Sequence, residues 1–225
     1  SDTWEYNPET NSWRQMDDFK GGARYYALGF GIDNYGYVGT GYNDNYLKDF
    51  YRFDPTAAAG SQWTIVNGFG GQKRQGGTAF VIDGKAYVCG GQNNNSDVSD
   101  FWCFDPSAAT PWTQLRDIAN TSDDDYDDDY TSIVRSYGVS FVIDGKAYLT
   151  LGSTAGGSYY SNYWIYDPAT DLWEGDDLTA FEGSTRIHAV CFSTGTRGIV
   201  ATGGSGSSSY FDDTWELKPY EYEEE

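Results

Sequence analysis

The sequence predicts an all-β chain assembled from a repeated antiparallel unit of four strands, and three observations carry that prediction. A block of about fifty residues recurs four times. Each copy holds two short β-prone runs joined by a tight turn. Glycine occurs 28 times among 20 tyrosines, 12 phenylalanines and 8 tryptophans, the composition of strands punctuated by turns and packed through aromatic rings.

Each element follows from fixed columns. Arg24, Arg74, Arg135 and Arg186 open the unit, and six positions later stand Phe30, Phe80, Phe141 and Phe192. Tyr37, Tyr87, Tyr148 and Ile199 come next, then Gly41, Gly91, Gly152 and Gly203. This constant stretch reads as a hairpin. Asp33-Asn34, Asp83-Gly84 and Asp144-Gly145 suit a type I′ turn, and Gly195-Thr196 suits type II′. Thr78 to Ile82 is apolar at nearly every position, as in a strand covered on both faces. A third strand follows at Asp49-Phe50-Tyr51, Asp100-Phe101-Trp102, Asn162-Tyr163-Trp164 and Asp213-Thr214-Trp215. An Asp-Pro turn then leads to a fourth strand at Trp63, Trp112 and Trp173.

Units of this kind need neighbours to bury their faces, which is the description of a propeller blade. With Gly90-Gly91, the Tyr-rich strand and the spaced tryptophan, the chain resembles the kelch-repeat β-propeller family over nearly its whole length. Gly203-Gly204 carries the diglycine one position out of register, and Thr40-Gly41 and Leu151-Gly152 depart from it. The amino end, Asp2 to Pro8, repeats the third-strand block and Trp13 the fourth, with no hairpin before them. The expected organisation is a single propeller: an outer half-blade at 1–19, blades at 20–70 and 71–120, an acidic insertion plus blade at 121–177, and a last blade with acidic tail at 178–225. The half-blade implies an incomplete segment of a five- to seven-bladed ring. A four-bladed ring with a displaced spare strand is the alternative.

A formal charge of −20 with pI near 4.1 argues against a phosphate-neutralising face, so no nucleic-acid partner is expected. No run of eighteen apolar residues spans a membrane. Cys89, Cys103 and Cys191 fit no zinc spacing and read as small apolar thiols, with a Cys89–Cys103 disulfide the alternative on neighbouring strands. The Lys-poor, Asn/Ser/Tyr/Gly-rich composition is similar to kelch proteins that bacteria export, often as outer-membrane lipoproteins.

The resemblance places the loops before the first strand and between the second and third on one face, around the mouth of a central channel. Arg24, Arg74, Arg135 and Arg186 then either clamp a carboxylate or sugar there or hold the ring together. Two residues on, the column Tyr26, Gly76, Tyr137, His188 varies, as binding sites do; His188, the one histidine, either titrates at the mouth or packs there. The second-to-third loops are rich in amides, hydroxyls and tyrosines, the groups that line sugar sites, with Tyr42, Tyr46, Asn93, Tyr159, Tyr160 and Tyr210 as candidates; ordinary polar loops are the alternative. Asp123, Asp125 and Asp127 in TSDDDYDDDYTS offer carboxylates at the alternate spacing of calcium loops, against the alternative of a solvated acidic loop.

Galactose oxidase also uses kelch blades, but its copper centre takes two histidines and this chain has one. No carboxylate and arginine pattern of the sialic-acid mutarotase propellers carries across. No catalytic residue is assigned, and no cofactor beyond calcium. The expected function is an exported, non-enzymatic module binding a glycan or a protein through its loop-rich face. A sugar-modifying enzyme and an intracellular kelch adaptor are the alternatives.

Overall fold

The computed structural model describes residues 1–175, 179–206 and 208–219. The acidic tail at Glu221 to Glu225 lies outside the described residues. A two-stranded sheet opens the chain, β1 (Trp4–Asn7) with β2 (Ser12–Gln15). The first full blade is β3 (Leu28–Ile32), β4 (Tyr35–Gly39), β5 (Phe50–Phe53) and β6 (Trp63–Val66), paired antiparallel in that order. The second holds β7 (Thr78–Ile82) and β8 (Lys85–Cys89), a side hairpin of β9 (Gln92–Asn93) and β10 (Ser96–Asp97), then β11 (Trp102–Phe104) and β12 (Trp112–Gln114). The third is β13 (Val139–Ile143), β14 (Lys146–Thr150), β15 (Trp164–Asp167) and β16 (Leu172–Glu174). The last has β17 (Val190–Ser193) and β18 (Gly198–Ala201), a side hairpin of β19 (Gly204–Ser205) and β20 (Ser209–Tyr210), and β21 (Thr214–Leu217).

The inner strands stack in sequence, β3 on β7, β7 on β13 and β13 on β17. Apolar cores fill the spaces between successive blades rather than the blades themselves. Phe80 and Ile82 of β7 point to the third blade's Tyr166 and Trp173, while Ala79 and Val81 pack on the first blade's Leu28 and Phe50. This two-sided cover is what the uninterrupted apolar run from Thr78 to Ile82 requires. Phe141, Ile143 and Tyr148 repeat the arrangement against Val200 and Trp215.

The four blades fan around an axis with open ends. Gly29 and Gly31 leave one face of β3 exposed, and at the other end Val190 and Phe192 of β17 are each 58% exposed. Main-chain bonds tie the blades at the axis. Gly41, Gly91 and Gly152 each donate an N–H to the carbonyl of the next blade's Arg74, Arg135 and Arg186, at 2.8, 2.8 and 2.9 Å.

Two turn assignments change. Asp83-Gly84 and Asp144-Gly145 have positive φ at both residues, as type I′ demands, but of Asp33-Asn34 only Asp33 does, which is not the type I′ pattern. The diglycine place in the last unit belongs to Thr202-Gly203 (φ 61° and 95°), matching Gly90-Gly91 (62° and 88°). The second position must be glycine, because a Cβ at Gly91 would stand 2.7 Å from the Gln75 carbonyl oxygen and one at Gly152 2.6 Å from that of Ser136. The first position tolerates Thr40, Leu151 and Thr202, all left-handed. Cys89, Cys103 and Cys191 are free thiols, so the Cys89–Cys103 disulfide does not form.

Candidate binding site at the mouth of the arc

The residues before each first strand bridge to those after each second strand: Tyr25 with Tyr42, Gln75 with Gln92, Ser136 with Ser153, Ile187 with Gly204. Both loop sets therefore share one face. The four arginines lie beneath it. Each sends Nη1 to the carbonyl sixteen residues on, Thr40, Gly90, Leu151 or Thr202, at 3.0 to 3.1 Å. These are the left-handed residues just described, so the arginine fastens the turn. Asp49 grips Arg24 through both oxygens at 2.6 and 3.0 Å, Asp100 pairs with Arg74, and Asp213 grips Arg186 bidentately. The pairing is within a blade, not between neighbours.

Arg135 breaks the rule. Its partner is Asn162, whose Oδ1 accepts at 3.0 Å, and the rest of its shell is the carbonyls of Ser132, Ile133 and Leu151. Burial pushes its guanidinium down to about 10, which leaves a cation at neutral pH with no carboxylate in its shell. The Tyr160 ring stacks under it at 4.7 Å, as Phe211 does under Arg186 at 4.2 Å. Tyr160 is thus half-buried over Arg135.

Above the arginines the variable column converges on the axis. Tyr26 and His188 stack at 5.0 Å with planes 10° apart, and Tyr137 meets Tyr26 at 5.0 Å and His188 at 4.5 Å. Gly76, the fourth member, makes room: a Cβ there would fall 2.3 Å from the Tyr137 ring. The Tyr137 hydroxyl accepts from Gln75 and Gln92 at 2.8 and 2.7 Å. Desolvation by the neighbouring rings lowers the His188 imidazole from its ordinary range. All four members have left-handed φ, 54° at Tyr26, 61° at Gly76, 58° at Tyr137 and 58° at His188. Three aromatic residues thus occupy a conformation that costs a side chain about 1–2 kcal/mol and glycine nothing.

From Tyr26 the ring contacts run outward to Tyr25 at 5.0 Å, on to Tyr42 at 5.5 Å and to Tyr46 at 5.0 Å. Tyr25 was not singled out by the repeat, because its column reads Tyr, Gln, Ser, Ile. The loop tips lean on the next blade: Asp97 Oδ1 accepts from Ala155 N–H at 2.7 Å, and the Tyr159 hydroxyl from Gly206 N–H at 2.8 Å. Asn93 sits in the side hairpin opposite Ser96. Tyr210, at the open end, is 81% exposed.

The acidic insertion forms a turn of 3-10 helix at Asp125–Asp127. Asp127 is buried and turns back into its own loop, where its carboxylate accepts from the Thr121 and Ser122 N–H groups at 2.8 and 3.0 Å. Among the described residues, no group of three or more His, Cys, Asp or Glu is arranged to hold a metal. Among the described residues, grooves of about 600, 290 and 690 Å³ lie between blades, and Tyr26, Tyr137 and His188 line none of these. The mouth is an open aromatic platform.

Fold and face together define a β-propeller with its loops gathered at one mouth. The Kelch motif family model matches residues 73–115. Kelch-like protein 15 of Danio rerio is 25% identical over 181 residues, 77% of this chain, and the chain spans 29% of that protein's length. The solved structure of YjhT aligns with a TM-score of 0.75 at 14% identity, over 95% of this chain and 72% of that one. The chain thus has a β-propeller fold, carries a Kelch motif at 73–115 and is similar to kelch proteins over most of its length. No helix among the described residues is long and apolar enough to cross a membrane.

Proposed function

We propose that this propeller is a non-enzymatic binding module, exported from a bacterial cell, whose mouth takes a glycan. The observation that carries the reading is the run of ring contacts Tyr46–Tyr42–Tyr25–Tyr26–His188–Tyr137 crossing the loop face to the axis. A pyranose presents C–H bonds to an aromatic face and hydroxyls to amides at its edge. Gln75 and Gln92, at the Tyr137 hydroxyl, supply such amides beside the rings. The exposed rings of Tyr25 and Tyr26 on this face support binding there. The Lys-poor, hydroxyl-rich composition supports export.

A glycan array followed by calorimetric titration of the strongest hit tests the reading. Tyr26→Gly keeps the left-handed backbone that Gly76 already adopts in this column, and it removes the platform. Saturable glycan binding that weakens at least tenfold in Tyr26→Gly, with the thermal midpoint unchanged or raised, is the expected result. A blank array, or binding indifferent to Tyr26, overturns it in favour of a protein ligand at the same face. Turnover of a bound sugar favours an enzyme.

A further inference from the structure

Successive blades meet in a common register, and two of their gaps differ by one unmatched cation. Opposite the second-strand tyrosines Tyr37 and Tyr87 stand Arg52 and Cys103. The next blade offers Phe104 to Tyr37, at 5.1 Å between ring centroids, and Tyr166 to Tyr87, at 5.3 Å.

The gap between the second and third blades carries its own carboxylate. Asp171, left-handed at φ 57°, accepts from the Tyr166 hydroxyl through Oδ1 at 3.1 Å and from the Arg116 N–H through Oδ2 at 3.4 Å. Desolvation raises the Tyr87 phenol and the Cys103 thiol, and the Asp171 charge adds to both rises, so its carboxylate lies within electrostatic reach of this pair.

The gap between the first and second blades lacks that group. Phe104 has no hydroxyl to hold a carboxylate, and the stretch 105–112 is one residue longer than its counterpart 167–173, with none of its residues left-handed. What remains is a groove of about 290 Å³ walled by Tyr37, Val66, Phe104, Pro106 and Pro111, with Arg52 among them. The lysine column also changes here. Lys85 pairs with Asp105 at 3.1 Å and Lys146 with Asp167 at 2.9 Å, whereas the first blade has Tyr35 in that place, and the Arg52 guanidinium lies over its ring at 4.6 Å. Asp54, the counterpart of Asp105, turns its carboxylate to the Thr56 N–H and hydroxyl at 2.9 and 2.7 Å. Among the described residues Arg52 has no ion pair, and its Nε is buried without a hydrogen-bond partner. A buried donor in that state is costly, and an acceptor entering the groove relieves the cost.

We propose that this groove binds a small organic carboxylate on an apolar body, its oxygens on the Arg52 guanidinium and its body against Tyr37, Val66, Phe104 and Pro111. The planar, always charged guanidinium suits a carboxylate. An apolar body is required because a chain of charge −20 repels anions at long range, so the affinity must come from contact within the groove. The volume stands at the low end of small-ligand sites, about 300 Å³, which favours a single ring or short chain over a polypeptide segment. None of the walls belongs to the mouth, so the site stands independently of the glycan reading.

The probe is 3-phenylpropionate, with 3-phenylpropanamide as its neutral counterpart, titrated into the intact chain and followed by calorimetry and amide chemical shifts. Saturable one-to-one binding of the acid is expected, with shifts gathered at 64–66 and 104–108 and at least tenfold weaker binding of the amide. Arg52→Gln, which breaks no ion pair, should weaken binding of the acid at least tenfold. No saturable binding, equal affinity for acid and amide, indifference to Arg52→Gln, or shifts confined to the mouth overturns the proposal. Binding of a capped polyglutamate peptide but not of the small acid overturns it in favour of a polypeptide partner. Should Arg52→Gln lose its fold, the comparison of acid and amide on the unaltered chain decides.

Discussion

Replacing Asn162 with Asp gives the third blade the carboxylate that the other three already have. Arg135 is 1% exposed and is the one blade arginine without an acidic partner. Its shell of carbonyls satisfies the guanidinium donors but leaves the charge to backbone dipoles alone. In Asn162→Asp the new Oδ atoms sit where Asn162 Oδ1 accepts from Arg135 Nη2 at 3.0 Å and where Nδ2 donates to Ser132 Oγ at 2.7 Å. Ser132 has a rotatable hydroxyl and can turn from acceptor to donor, while Trp164 Nε1, at 3.2 Å from that oxygen, keeps its bond. No buried donor is orphaned, and a neutral hydrogen bond becomes a charged one. The difference between the two classes is about 1–2 kcal/mol, or roughly 2 to 8 °C in the thermal midpoint for a chain of this size. The mirror substitution, Asp100→Asn, sets an amide Nδ2 against either the Arg74 guanidinium or the Gln72 N–H, both donors to Asp100. It should cost about 2–3 kcal/mol. Urea unfolding at pH 7 measures both. The pH dependence supplies a second check. Asp213, in the equivalent place, is held down to about 2 first by Arg186 and then by Trp215. A carboxylate depressed in the folded chain stabilises above its unfolded value of about 3.9 and loses that contribution as pH falls through the folded value. The advantage of Asn162→Asp should therefore be full at pH 5 and above and vanish toward pH 2. An unfolding free energy at pH 7 equal to or below that of the unaltered chain would refute the reasoning.

Three further outcomes are expected. Thr202→Gly should stabilise by about 1 kcal/mol, because Thr202 is left-handed and exposed, whereas Gly203→Ala next to it should cost more than about 2 kcal/mol, since its Cβ would stand 2.9 Å from the Ile187 carbonyl oxygen. Chemical denaturation of the two variants shows opposite signs or the backbone account fails. The single histidine, followed by proton NMR, should titrate below 6.5 because burial opposes its charged form, so whatever His188 contributes to stability is present above 6.5 and fades as pH falls below it; a midpoint at or above 6.5 contradicts this. Cys89 is buried, with its thiol pushed up to about 12 by desolvation, and should resist alkylation in the folded chain while reacting once the chain is unfolded; labelling at native rates comparable to a free thiol contradicts it.

The blade architecture was legible because its columns are spaced by constant intervals, and constant intervals are what stacked blades require. The five third strands and four inner hairpins stand where the repeat put them. Less visible was which columns face inward. Tyr160 reads as one more loop tyrosine until it is lined up with Leu47, Val98 and Phe211, whose N–H groups donate to Gly41, Gly91 and Gly203 as that of Tyr160 does to Gly152. That alignment crosses loops of unequal length, so counting alone does not reveal it. The side hairpin at Asn94-Asn95, with φ of 49° and 61°, escaped for a different reason: its two-residue strands carry no apolar alternation. Six aspartates in seven residues suggested a cation, yet Asp127 is countered by backbone N–H groups, a partner that no side-chain pattern discloses.

The left-handed column at the axis separates what the fold needs from what the mouth adds. If the backbone alone mattered there, glycine would serve at all four positions, and Gly76 shows that it does serve at one. Tyr26, Tyr137 and His188 instead each bear the strain of a side chain at positive φ, about 1–2 kcal/mol apiece. Packing recovers part of that cost, since aromatic pairs contribute about 0.5–1.5 kcal/mol and Tyr137 gains two amide donors. Tyr26 has less to recover: it is exposed, and its ring contacts are to neighbours that are themselves partly exposed. Strain without compensating burial is what a surface shaped for a ligand retains and what a purely structural position loses. The two substitutions should accordingly divide, with Tyr137→Gly destabilising through its lost packing and hydrogen bonds, and Tyr26→Gly neutral or stabilising while it weakens glycan binding.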